Sequence, residues 1–293
     1  MSNSYTVTYW RKHLRLQNFG DYLSEVLLQA LCRRSIFDPG AGRVNGRYEF
    51  IYLIGSAIDD HHVKIGLEHA QSLGPCRIAF WCCGKRDEHP LDQELLGHCV
   101  FLGARGPLTR DALGLPSNTP LGDPALLLPI IYTPKFDKEW ASKTICVPHF
   151  NEKKSDEELL VSTGVDVILR PNITNELKEL FRFIDRLVSA RFAICGALHA
   201  AIVRCAYATE FAYFDSGDVD VPFKWKDFSA SVGIGARFAK SLAEGQSIYA
   251  ENISNRVRIP RLDGIVAAAP LAPPRALRQR AKAWQFDTVR RIN

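Results

Sequence analysis

No apolar stretch in this 293-residue sequence approaches the roughly 20 residues needed to cross a bilayer, so a helical membrane span is not expected. The opening residues, MSNSYTVTYWRKHLRL, lack the short apolar core of a secretory signal, which predicts an unexported, cytoplasmic protein. Paired metal-ligand spacings are missing among the eight cysteines, and the neighbours Cys82 and Cys83 cannot readily chelate one tetrahedral ion between them. No metal site is expected, and the thiols read as buried and free in a reducing compartment. An excess of positive charge is also missing from the first 269 residues, where 31 basic side chains meet 31 acidic ones. A body without a basic surface excludes nucleic acid as the partner. With 46% apolar and 24% charged residues the composition is that of an ordinary globular protein, neither disordered nor collagen-like.

The whole net charge of +5 sits in the last 24 residues, which carry six bases and one acid. There Leu277, Ala281 and Trp284 fall at helical spacing, with Arg278 and Lys282 beside them. The pattern predicts a terminal helix packed across the protein with a solvated basic face; contact with a membrane surface is the other reading.

Along the rest of the chain strand-like and helix-like segments alternate. Tyr48–Ser56 (YEFIYLIGS) and Cys76–Gly84 (CRIAFWCCG) are continuous apolar runs ending in glycine, as buried parallel strands tend to be. Tyr5–Trp10 and Cys99–Ala104 are further strands, and Asp21–Arg34 is an amphipathic helix. The segment Pro129–Lys143, with two prolines and mixed charge, reads as a linker, after which the pattern restarts. Strands at Thr144–Phe150, Val165–Leu169, Phe192–Gly196 and Glu210–Asp215 alternate with helices at Asp156–Thr163, Asn175–Val188 and Ala197–Ala208. The expectation is an α/β protein of two Rossmann-like domains, residues 1–135 and 136–293, with a C-terminal segment crossing back. Ligands of such sheets lie beyond the carboxyl ends of the strands, so the residues there are the candidates.

Asn18-Phe19-Gly20-Asp21 ends the loop after the first strand and opens a helix whose N–H groups can hold a hydroxyl or an anion. Asp21 either caps that helix or faces a neutral acceptor. Gly55 and Ser56 follow the next strand and offer close backbone approach and a hydroxyl. Arg105 precedes Gly106-Pro107 at a helix start, where a guanidinium beside exposed N–H groups suits phosphate or carboxylate; an ion pair with Asp123 is its structural alternative. His199 falls in the first turn after the strand Phe192–Gly196, a position for a catalytic group as well as for a core histidine. His149 ends the strand at Thr144–Phe150, and Lys224 follows the last clear strand.

Taken in order, NFGD, IGS, ARGPLTRDAL with LGDPALLLP, VPHF, ALHAAI and FKWKDF resemble the motifs of the polysaccharide pyruvyltransferases, in particular the branch acting on exopolysaccharide of the succinoglycan type. The resemblance spans about residues 5 to 235. It implies a glycosyltransferase-B-like arrangement with the acceptor on the first domain and the donor on the second. It also implies transfer of pyruvate from phosphoenolpyruvate onto two hydroxyls of a lipid-linked oligosaccharide or polysaccharide, making a cyclic ketal without a cofactor. The family's donor-binding arginine would fall on Arg105, its catalytic histidine on His199 and its later basic residue on Lys224, with Asp21 the second catalytic candidate. Ala197 stands where many members carry arginine, and Cys82-Cys83-Gly84 where Gly-Ser-Gly is usual. A nucleotide-sugar glycosyltransferase of the same fold and a non-catalytic polysaccharide-assembly protein are the alternatives.

Overall fold

The computed structural model describes residues 6–8, 14–33, 50–70 and 77–292; side chains are described from Leu14 to Trp284, apart from those of residues 69 and 70. Cys76 and the outer residues of the expected first strand lie outside these. Among the described residues the chain is a mixed α/β protein with parallel sheets. Strands β1 (Thr6–Thr8), β3 (Phe50–Tyr52), β4 (Ile78–Phe80) and β5 (Cys99–Phe101) form a parallel sheet in that order. A second parallel sheet has the order β11 (Phe238–Ala239), β10 (Phe211–Phe214), β9 (Phe192–Cys195), β6 (Thr144–Val147), β7 (Val167–Ile168). Apart from both, β2 (Leu16–Asn18), which follows β1 in sequence, pairs antiparallel with β8 (Asn172–Thr174), which follows β7.

Period-two alternation sets the layers. Phe50, Tyr52, Ile78 and Phe80 point to one side of the first sheet and form one cluster, with Tyr52 and Phe80 stacked at 5.0 Å. Their neighbours Ile51, Leu53, Ala79 and Trp81 point the other way and share a continuous core with Ile145, Val147, Ala193 and Cys195 of the second sheet. The outer face of the second sheet, with Cys146, Ile194 and Ala212, has its own cluster. Strands buried on both faces in this way read as unbroken apolar runs, which is why they stand out in the sequence.

The helix Phe19–Cys32 packs against the helices Leu177–Ser189 and Leu198–Ala206, with the rings of Phe19 and Phe183 4.2 Å apart. Its residues come early in the chain, yet its partners are late ones. The segment expected as a linker is more structured than its prolines suggest: Leu128–Ile131 and Lys138–Ala141 are single helical turns, and Trp140 is buried with the Arg186 guanidinium 5.0 Å over its ring. The C-terminal region returns to the first sheet, where the Trp81 indole N–H donates to the carbonyl of Ile265 at 2.9 Å. In the helix Arg275–Ile292, Leu277 and Ala281 are buried, and Arg278 and Lys282 are exposed. The two apolar positions are thus used inside the protein. Among the described residues no helix is long and apolar enough to cross a membrane.

Candidate functional site

A cavity of about 800 Å³ opens where the chain leaves strands of both sheets. From the first sheet it takes Gly55 and Ser56 after β3 and Arg86 after β4; from the second it takes His149 after β6, Ala197 and His199 after β9, and Asp220 and Lys224 after β10. Asn18, Gly20 and Asp21 reach it from the start of the helix Phe19–Cys32. Eight of the nine sequence candidates therefore come together on one surface.

At that helix start the cap is Asn18, whose side chain accepts from the Gly20 N–H and donates to Asp21 at 2.9 Å. Asp21 is left in the first turn, its carboxylate on the cavity rather than in the capping role. Gly20 is fixed by contact. A Cβ on it would stand 2.1 Å from Nδ1 of His199 and 2.8 Å from the ring carbon Cγ. The imidazole occupies the space that a side chain at position 20 would fill.

His199 is in the first turn of the helix after β9, with Ala197 as a cap that supplies no side-chain hydrogen bond. Parallel pairing of Val147 with Cys195 brings the ends of β6 and β9 side by side, which puts His149 and His199 on one wall. The Nε2 atom of His199 is enclosed, has no hydrogen-bond partner, and lies 3.7 Å from Oδ2 of the buried Asp123. Burial alone would raise the Asp123 carboxyl. His199 and Arg105, with the Ala125 N–H, outweigh that and hold it below the usual carboxylate range.

Arg105 is the candidate that does not reach the cavity. Its guanidinium is wholly enclosed, with Nε donating to Asp123 at 3.1 Å and Nη1 to the Ser56 hydroxyl at 2.8 Å. The guanidinium lies over Gly84, where a Cβ would be 2.6 Å from Nη1, and the Arg105 N–H donates to the Cys83 carbonyl. The helix start at Gly106-Pro107 is not open either. Asp227 accepts from both the N–H and the hydroxyl of Thr109, at 2.9 and 2.6 Å, and so fills the place expected for a ligand anion. Burial raises the Asp227 carboxyl, with the Thr109 bonds opposing. The ion pair with Asp123 is what the structure gives to Arg105, and its influence on the cavity passes through Ser56 and Asp123. Cys82 and Cys83 belong to the same wall, and burial pushes both thiols up, so they stay uncharged packing groups.

Lys224 is on the cavity but not alone. Its ammonium pairs with Asp220 four residues earlier, and Asp220 also lies 3.4 Å from Nε2 of His149 and 4.0 Å from Arg86. His149 first, and then Lys224, hold the Asp220 carboxyl well below its ordinary value, whereas burial lowers Lys224 against the pull of Asp220. Sequence reasoning passed over Asp220 and Arg86. The first is visible as an i, i+4 acid before Lys224, the second as a base two residues after Gly84. It also passed over the helix Asp60–Ala70, whose His61 and His62 line the cavity, His62 bonded to Asp59 at 2.7 Å. Among the described residues no group of three or more His, Cys, Asp or Glu is arranged to hold a metal ion.

No protein-family model and no curated protein matches the chain.

Proposed function

We propose that the protein transfers pyruvate from phosphoenolpyruvate to two hydroxyls of one sugar in an exopolysaccharide repeat unit, forming a cyclic ketal and releasing phosphate. In this reading residues 1–135 and 136–293 are Rossmann-like units facing each other in a glycosyltransferase-B-like arrangement, the first on the acceptor side and the second on the donor side. The observation that carries it is His199, set beside the buried Asp123 carboxylate in a cavity that also holds Lys224, His149 and Arg86. Its volume of about 800 Å³ accommodates a small anion together with a sugar residue.

The chemistry follows from the groups present. His199, as imidazolium with Asp123 as its counter-charge, protonates the methylene carbon of the donor and leaves an oxocarbenium-like centre at C2. A first sugar hydroxyl attacks C2, its proton passing back to His199 directly or by way of Asp21. Phosphate departs, taking up the proton of the second hydroxyl as that oxygen closes the ketal. Of the two hydroxyl protons one ends on the new methyl group and one on phosphate. Lys224, Arg86 and His149 compensate the charge of the donor. A lipid-linked acceptor places this work at the cytoplasmic face of a membrane, with the exposed Arg278 and Lys282 turned to solvent.

The experiment is phosphate release from phosphoenolpyruvate in the presence of chelator and candidate lipid-linked oligosaccharides. Release that depends on acceptor, with pyruvyl gain on the sugar, is the expected result. Donor at 100 times its dissociation constant should also stabilise the fold by about 2.7 kcal/mol. A melting temperature unmoved by millimolar phosphoenolpyruvate but raised by a nucleotide sugar would make the protein a glycosyltransferase. Binding of neither would leave an assembly protein without turnover.

A further inference from the structure

Three basic groups of the cavity are already occupied. Arg86 and His149, from two loops, and Lys224, from the first turn of the helix Pro222–Ser231, all face the carboxylate of Asp220, with Arg86 also 3.8 Å from Asp59. Only the Lys224 contact is close; His149 at 3.4 Å and Arg86 at 4.0 Å stand too far apart for one carboxylate to satisfy all three well. A phosphate group, with more acceptor oxygens and twice the charge, fits that spacing better.

Charge makes the same point. With neutral histidines the lining has two fixed cations, Arg86 and Lys224, against four carboxylates, Asp21, Asp59, Glu68 and Asp220. An anionic donor entering the cavity as it stands would meet a net negative surface.

The segment that carries Asp220 differs from a fixed structural pair. Asp220 is one third exposed, while Lys224 beneath it is 11% exposed. The residue that follows, Val221, has φ of 50°, a left-handed conformation that a β-branched side chain adopts only under strain, and Gly217 in the same loop has φ of 120°. Strain at Val221 works against the seated position of the carboxylate. The Trp225 indole N–H donates to the Asp220 carbonyl at 3.2 Å, on the peptide that joins Asp220 to Val221.

We propose that Asp220 is a resident counter-anion: in the free protein its carboxylate keeps the place of the donor's phosphate group among Arg86, His149 and Lys224, and it leaves when that group binds. The assignment rests on the reading above for the identity of the donor, and on the cluster itself for the phosphate. Displacement has a chemical use. Arg86, Lys224 and the His149 ring stay paired while the cavity is empty, and the donor affinity is set by the difference between two anions rather than by the full attraction of one.

The test is calorimetric titration of inorganic phosphate, and separately of phosphoenolpyruvate, into the native protein, Asp220→Asn and Val221→Gly. Removing the competing charge should tighten both ligands by about tenfold in Asp220→Asn. Glycine takes positive φ freely, so Val221→Gly relieves the seated form and should weaken both ligands by about fivefold. Unchanged or weaker phosphate binding in a folded Asp220→Asn overturns the proposal, as does tighter binding in Val221→Gly. The two readings fail separately. If Asp220→Asn gains phosphate affinity while no variant releases phosphate from phosphoenolpyruvate, the seat stands and pyruvyl transfer falls; acceptor-dependent turnover without that gain removes the seat alone.

Discussion

Two aspartate–cation centres flank the cavity, and they are built to opposite specifications. At the Arg105–Asp123 pair both side chains are fully enclosed and the contact is 3.1 Å; Ser56 and the Ala125 N–H take further bonds, while Nη2 of Arg105 is left without a partner. At the Asp220 centre the carboxylate is partly open and shared unequally among Lys224, His149 and Arg86, with a strained residue next to it. The first arrangement fixes a wall; the second leaves charge that a ligand can claim. Full burial and a close ion pair, rather than residue type, separate an arginine of the scaffold from a lysine of the site.

His199 touches the first centre and serves the cavity, so it sharpens the contrast most. His199→Ala should lower acceptor-dependent phosphate release by about 10²–10⁴-fold, some 2.7–5.5 kcal/mol of barrier, while donor binding and the unfolding midpoint change far less. A core role predicts the reverse, with activity falling only as folded protein is lost. Asp123→Ala attacks the buried pair itself. It strands the Arg105 charge and should cost about 3–5 kcal/mol of stability, read from denaturant unfolding. A cost below 1 kcal/mol would mean that the pair is not structural.

Gly20→Ala leaves both centres intact and moves only the ring, since its Cβ would stand 2.1 Å from Nδ1 of His199. Displacement of about 1 Å can cost around 10²-fold, so turnover should fall by that order while the protein stays folded. Near-native turnover in a folded Gly20→Ala would show that the ring position is not critical.

The smallest effect is expected at the open centre, where Asp220→Ala should shift stability by less than about 1 kcal/mol. Acid acts on both aspartates in the same sense. Both carboxyls are held below their ordinary value in the folded protein, so their contribution is fully present above the unfolded carboxylate range and is lost as pH falls through the folded values. Stability between about pH 4 and pH 2 should therefore decline less steeply in Asp123→Ala than in the native protein. An acid limb in Asp123→Ala as steep as that of the native protein would overturn this.

Much of the scaffold is legible from the sequence because buried parallel strands are unbroken apolar runs, as at Phe50–Tyr52 and Ile78–Phe80. The two-residue strand β11, and β8 among polar residues, carry no such signal; pairing across long sequence separations creates them. The helix Pro222–Ser231 hides for another reason: its buried side is made of Lys224, Asp227 and aromatics that do not look like a core stripe. At the site, position after a strand picks out His199, His149 and Lys224, because the end of a strand fixes where the next side chain points. It cannot tell that Asp227, 118 residues from Thr109, caps the helix beside Arg105, or that His149 and Arg86 also face Asp220. Those are facts of folding at long range.

The helix Phe19–Cys32 has a practical consequence. Its Phe19 ring lies on Phe183, Asn18 pairs across β2 and β8 with Asn172, and Gly20 bears on His199. A cut in the chain near Thr133 would yield two fragments, each missing part of the other's interior: the larger would lose the helix that covers Phe183 and the small residue that seats its histidine. Such fragments suit a split-protein reporter, silent apart and reassembling when tethered, rather than two independently expressible halves.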